Sequence, residues 1–264
     1  MTPTNLAKTA TAGGALALVT LVGMLLTSQR GSAQNGNDDA ARIQQGFAIA
    51  PVPLNLAGKN SEQVALVGLG SYLVNAVGDC DGCHFLSAPP DFGNPDFNFL
   101  SGHNPYLLSQ KETKINPSGY LGGGNNFFTA LFANVGEGTA YGAYLGPNII
   151  ARNLTPDKNG LPEGGKSLSD FMRILRTGVD MDAIHPTCTS PTGGPSGTPT
   201  PPNCIPPPVD GSKLQIMPWP VFHNLEDRDI RAIYEYLSTI PCIDNTTSIP
   251  PDGAPNELRN DCGN

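Results

Sequence analysis

Val77-Gly78-Asp79-Cys80-Asp81-Gly82-Cys83-His84 decides how the rest of the chain is read. Two thiols one helical turn apart, followed at once by an imidazole, form the C-x-x-C-H pattern of c-type haem attachment. The spacing has a chemical reason: each thiol adds to one of the two vinyl groups of a single porphyrin, and the adjacent histidine swings beneath the ring as proximal iron ligand. A C-x-x-C pair alone also serves thioredoxin-like redox sites and zinc knuckles. The thioredoxin arrangement wants a strand before the motif and a helix after it. Here a helical pattern precedes the motif and a loop rich in proline and glycine follows. Zinc would need a second ligand pair, and Cys188 and Cys204 are too far apart to resemble one.

Upstream, Asn60 with Gln63 three residues on is a capping box, and it predicts a helix from about Ser61 to Val77. Leu66, Leu69, Leu73 and Val77 form its main apolar stripe, with further apolar residues around it, so the helix is expected to be well buried. Gly68 and Gly70 each cost ~1 kcal/mol relative to alanine inside a helix. Close approach of another helix is the expected compensation. Residues 34–60 show little periodicity and read as an extended arm. Residues 1–33 carry Lys8, Arg30 and no acid around an apolar stretch, Ala15 to Leu26, followed by Gly31-Ser32-Ala33. That is the pattern of a signal peptide cleaved before Gln34, the alternative being an uncleaved N-terminal membrane anchor. Either way the chain is expected to be exported.

Downstream, residues 85–146 are irregular, a length unusual in a compact domain unless functional or packed on a cofactor. Ser167 with Asp170 starts a helix that Gly178 ends, with Phe171, Ile174 and Leu175 facing inward. A last helix is expected from about Leu225 to Ser238, capped by Asn224 and stopped by Pro241, with Ile230, Ile233, Tyr234 and Leu237 buried. In an exported protein the four cysteines outside the motif default to disulfides. Sequence neighbours favour Cys188–Cys204 and Cys242–Cys262, in loops expected to lie far from the haem, each contributing ~3 kcal/mol. An iron held by one histidine needs a sixth ligand or leaves a site open. Met217, stiffened by Pro218 and Pro220 in a loop, is the first candidate, with Met181 and His223 behind it.

Composition agrees with a shell around a cofactor. The 264 residues include 31 glycines and 26 prolines, and charged residues are only 14%. An average domain has about 25% charged residues. A coiled coil and a basic nucleic-acid binder are excluded. The net charge of −8 becomes −10 if residues 1–33, with Lys8 and Arg30, are removed. Such a surface disfavours nucleic acid and suits a basic docking partner.

Gly70-Ser71-Tyr72-Leu73 ahead of Cys80 to His84 resembles the first helix of class I c-type cytochromes. Asn153-Leu154-Thr155-Pro156-Asp157, Asp170-Phe171 and Arg176-Thr177-Gly178 are similar to a subgroup that includes cytochrome subunits of exported dehydrogenases. Met217-Pro218-Trp219 and Asp229 to Leu237 are similar to its distal-methionine loop and final helix. The resemblance implies a mainly α fold with extensive loops, in which three or four short helices surround one covalently bound haem c and the first and last helices cross, with Gly70 near Tyr234. It implies Cys80 and Cys83 as thioether attachments, His84 as proximal ligand and Met217 as distal ligand. It further suggests Pro147 as the acceptor for the second ring nitrogen of His84, and Trp219 as a haem-propionate donor or pocket wall. On this reading residues 61–241 are the cytochrome domain with loop insertions, and 242–264 a disulfide-tethered tail. The expected function is one-electron transfer with a protein redox partner, in the periplasm or secreted, by a carrier rather than an enzyme. The alternatives are a peroxidase-like haem enzyme with an open distal site and an electron-relay subunit of an exported dehydrogenase.

Overall fold

The protein is mostly helical, with long loops and little strand. The computed structural model describes residues 38–86, 99–110, 112–127, 149–189, 204–205, 207, 209–245 and 260–263. Residues 43–264 make up one unit; of residues 1–42 only 38–42 are described, as the start of a helix. The expected signal segment therefore lies outside the described residues. Among the described residues no helix is long and apolar enough to cross a membrane.

Helix α1 spans residues 38–49, where the sequence reading expects an extended arm. It docks through a short apolar face, Ile43 and Phe47 four positions apart, together with backbone at Gly46. Ser71 Oγ donates to the Gly46 carbonyl at 2.7 Å. A methyl group on Gly68 would collide with Phe47 and Ile43. Helix α2 spans Ser61–Tyr72 and carries the expected capping box: Asn60 Oδ1 accepts from Gln63 N at 2.9 Å, and Gln63 Oε1 from Asn60 N at 3.1 Å. It continues as a π-helical turn, Leu73–Val77, closed by Gly78 N donating to Leu73 O at 2.7 Å. The wider turn rotates the end of the stripe. Leu66, Leu69 and Leu73 are buried as expected, and Val77 lines a cavity.

Helix α3, Cys80–His84, is the C-x-x-C-H motif itself. After it, Asn126–Phe127 pairs antiparallel with Ile149–Ile150, in the register Asn126 to Ile150 and Phe127 to Ile149. Pro162–Gly165 forms a turn in which Glu163 has φ 51 and ψ 53. Helix α4, Leu168–Thr177, begins at Ser167, whose side chain accepts from Asp170 N, and ends on Gly178 at φ 65. Phe171, Ile174 and Leu175 are buried, as their spacing predicts.

A short turn, Trp219–Phe222, precedes helix α5, Asp227–Leu237. The N-cap is Glu226 rather than Asn224. Asn224 N and Leu225 N still donate into the preceding turn, to Val221 O and Phe222 O, so the new helix starts two residues later. Helices α2 and α5 cross at Gly70, which lies against Ala232 and Tyr236 rather than Tyr234. Tyr234 instead packs on Phe171, with ring centroids 5.7 Å apart. Val67, Val74, Leu154, Leu175, Ile230 and Leu237 join these elements in one core.

Both expected disulfides are formed, Cys188–Cys204 and Cys242–Cys262. The second ties the tail against the chain after β-residue Ile150. Asn260 Nδ2 donates to Thr155 O at 2.9 Å and to Pro156 O at 2.8 Å, and Asn153 Nδ2 donates to Ile243 O at 3.0 Å.

Candidate functional site

The motif helix is held from two sides by backbone. Gly123 N donates to His84 O at 2.7 Å, and Leu121 N donates to Asp81 Oδ1 at 2.8 Å. On the other side, His84 Nδ1 lies 2.7 Å from the carbonyl oxygen of Arg152. A carbonyl only accepts, so Nδ1 carries the proton and Nε2 keeps its lone pair, the form in which imidazole ligates a metal. Burial pulls the His84 pKa below the ordinary histidine value, which favours the same neutral ring.

Cys80 and Cys83 are not bonded to one another. Burial, with Asp79 adding to it, pushes the Cys80 thiol up to about 12 and raises that of Cys83 as well. A thioredoxin-type cysteine needs the reverse, a thiol whose pKa is lowered so that it is ionised near neutrality. These two side chains are neutral thiols, which disfavours the redox-dithiol reading of the motif.

Cys80, Cys83 and His84 open onto one cavity, and Met217 stands in its wall. Most of the lining is aliphatic or aromatic, with Val74 from the α2 continuation, Phe171 and Leu175 from α4, and Ile233 and Leu237 from α5. Two thiols, a neutral imidazole and a thioether on apolar walls fit an iron porphyrin. They would hold it covalently through Cys80 and Cys83, with His84 and Met217 as the side chains able to ligate its iron. Among the described residues no cluster of three or more His, Cys, Asp or Glu forms a separate metal site.

One part of the lining is charged. Arg152 is paired through Nη2 with Asp180 Oδ1 at 2.5 Å and through Nη1 with Asp182 Oδ2 at 2.6 Å. Glu163 Oε1 is 3.8 Å from the same Nη1, and Lys166 Nζ reaches Asp182 Oδ1 at 2.6 Å. Arg152, Glu163 and Asp180 all line the cavity. None of them stands out in the sequence. The role of Arg152 toward His84 runs through its backbone carbonyl, which has no residue signature, and the burial of Glu163 depends on a turn.

The structure thus brings together Cys80, Cys83, His84 and Met217. Trp219 is not among the lining residues: its ring lies against Gly178 at the end of α4, with Lys213 Nζ 5.8 Å from the ring centroid. Pro147 lies outside the described residues; the acceptor for His84 Nδ1 is the Arg152 carbonyl. Met181 and His223, the other candidates for a distal ligand, do not line the cavity, whereas His185, which the sequence ranking passes over, does. The loop carrying Cys188–Cys204 is not remote either, because Ile184, His185 and Ile205 form part of the wall. No protein-family model, no curated protein and no solved structure matches the chain.

Proposed function

We propose that this chain is an exported, monohaem c-type cytochrome that carries single electrons, built on a cytochrome c-like fold. The observation that carries the reading is the meeting of Cys80, Cys83, His84 and Met217 on one apolar cavity. Met217 is 133 positions from His84 in the chain, so their sharing a cavity is not a consequence of local sequence. The crossing of α2 and α5 at Gly70 supports the fold, and two disulfides support an oxidising compartment.

Bound haem would supply a metal that changes charge by one without breaking bonds, and a methionine ligand favours its ferrous state. The chain does the rest. The Arg152 carbonyl fixes the ring orientation of His84, and the aliphatic walls exclude water. With His84 and Met217 both engaged, no position is left for substrate, which supports a carrier over a peroxidase-like enzyme. The reading implies a protein redox partner, which on the family resemblance includes an exported dehydrogenase, and the acidic surface suits a basic face on it.

The test is an absorption spectrum of protein matured with haem, including the sulfur-to-iron band of the oxidised form. Covalent haem with that band is the expected result. Met217→Ala should remove the band, admit small ligands and lower the potential. An unaltered spectrum in that variant would move the distal role to His185, and protein that attaches no haem would overturn the reading.

A further inference from the structure

Glu163 is an unusual residue to find in an apolar cavity wall. It is 7% exposed, and its backbone sits in the left-handed region at φ 51, which costs a non-glycine residue about 1 kcal/mol or more. The turn Leu161-Pro162-Glu163-Gly164-Gly165 thus holds a carboxyl inside at a conformational cost. The charged groups that act on it are Arg152 and Lys166, which favour its ionised form, and Asp182 and Asp180, which oppose it. Arg152 and Lys166 against Asp180 and Asp182 balance to zero. The group as a whole is therefore neutral with Glu163 protonated and carries one negative charge with it ionised. Arg152 also links this group to the haem-type motif, since its Nη1 lies 3.8 Å from Glu163 and its carbonyl accepts from His84 Nδ1.

We propose that Glu163 takes up a proton when the haem held by His84 accepts an electron, so that the chain moves one electron together with one proton. The inference rests on the haem reading given above. In balanced form, a one-electron donor protein supplies the electron to the iron. An O–H bond forms on the Glu163 carboxylate, and the proton comes from a solvent acid whose own O–H bond breaks. Reduction adds one negative charge in the cavity that the buried carboxylate lines, and protonation removes one, so each event favours the other. Burial already pushes Glu163 up to about 7, so small changes in nearby charge move its protonation near neutral pH. Asp182, 40% exposed and bonded to both Arg152 and Lys166, places the group next to solvent, from which the proton is drawn.

The experiment is a redox titration of the haem-loaded protein across about pH 5 to 9, using small one-electron mediators. The potential should fall as pH rises near neutrality, approaching a tenfold change in the reduction equilibrium per pH unit, or about 59 mV for one electron. E163Q should keep the haem spectrum and flatten the slope. In the unaltered protein, the reduced-minus-oxidised infrared difference should show a protonated-carboxyl band that shifts in D₂O and is missing in E163Q. That spectrum decides the matter even if E163Q does not fold. A flat potential in the unaltered protein, a slope that survives E163Q, or no carboxyl band overturns the proposal while leaving a haem-loaded protein intact. Protein that attaches no haem overturns the reading beneath it instead.

Discussion

Asp81, inside the C-x-x-C-H motif, is 5% exposed, with Oδ1 accepting from Leu121 N and Oδ2 making no hydrogen bond. Burial pushes its carboxyl from 3.8 up to about 7, with Asp79 adding to the rise and the Leu121 bond opposing it. Between those two values the folded chain binds a proton that the unfolded chain has lost, so stability falls as pH rises across the window. The penalty is absent below about pH 4 and complete above about pH 7, where it reaches a few kcal/mol. Asp81→Asn keeps an acceptor for Leu121 and carries no charge at any pH. Its thermal midpoint should match that of the unaltered protein near pH 4 and exceed it near pH 8. Equal destabilisation at both values would show that the charge on Asp81 is not what limits the fold. The identity of the motif residues was legible from the sequence because their chemistry is in their side chains. The burial of Asp81 was not, because it depends on a backbone N–H forty positions away.

Among the elements, α2 and α4 were legible because their ends are local: Asn60 with Gln63, and Ser167 with Gly178, need no knowledge of the rest of the chain. Helix α1 was not, because its docking face is only Ile43 and Phe47, supplemented by backbone at Gly46 accepting from Ser71 of α2. Val77, expected in the buried stripe, lines the cavity instead, which the periodicity of α2 does not distinguish from facing the core. Within the site, the thiols, His84 and Met217 could be read in advance, while Arg152 and Glu163 could not. The α2–α5 crossing gives the sharpest test at this scale. A methyl group on Gly70 would collide with the Ala232 carbonyl and with Tyr236 Cβ. Alanine gains ~1 kcal/mol in helix propensity, but overpacking a tight contact costs about 1–3 kcal/mol. The clash is with backbone, which yields less than a side chain, so the cost should win. Gly70→Ala should lower the urea midpoint with little change in its slope. A stabilised variant would mean that the two helices are not in contact in solution.

At the scale of the whole molecule, two disulfides close loops of similar length, with sequence separations of 16 and 20. In the loop-entropy account their effects on the unfolded chain are therefore nearly equal, ~3 kcal/mol each. They differ in what they hold in the folded chain. Cys188–Cys204 fastens a short paired stretch in which Cys188 N donates to Ile205 O at 2.8 Å and Ile205 N to Pro186 O at 2.9 Å. His185 and Ile205, beside and within that stretch, line the cavity. Cys242–Cys262 instead fastens Asn260 beneath Thr155 and Pro156, and neither cysteine of that bridge lines the cavity. Replacing either pair by serine should lower the urea midpoint by a comparable amount. If the chain carries haem as proposed, only the Cys188→Ser/Cys204→Ser protein should also admit imidazole to it faster, because one wall of the cavity loses its anchor. If both variants admit it at the same rate, that wall is held by its packing and hydrogen bonds, and the bridge acts on the unfolded chain alone.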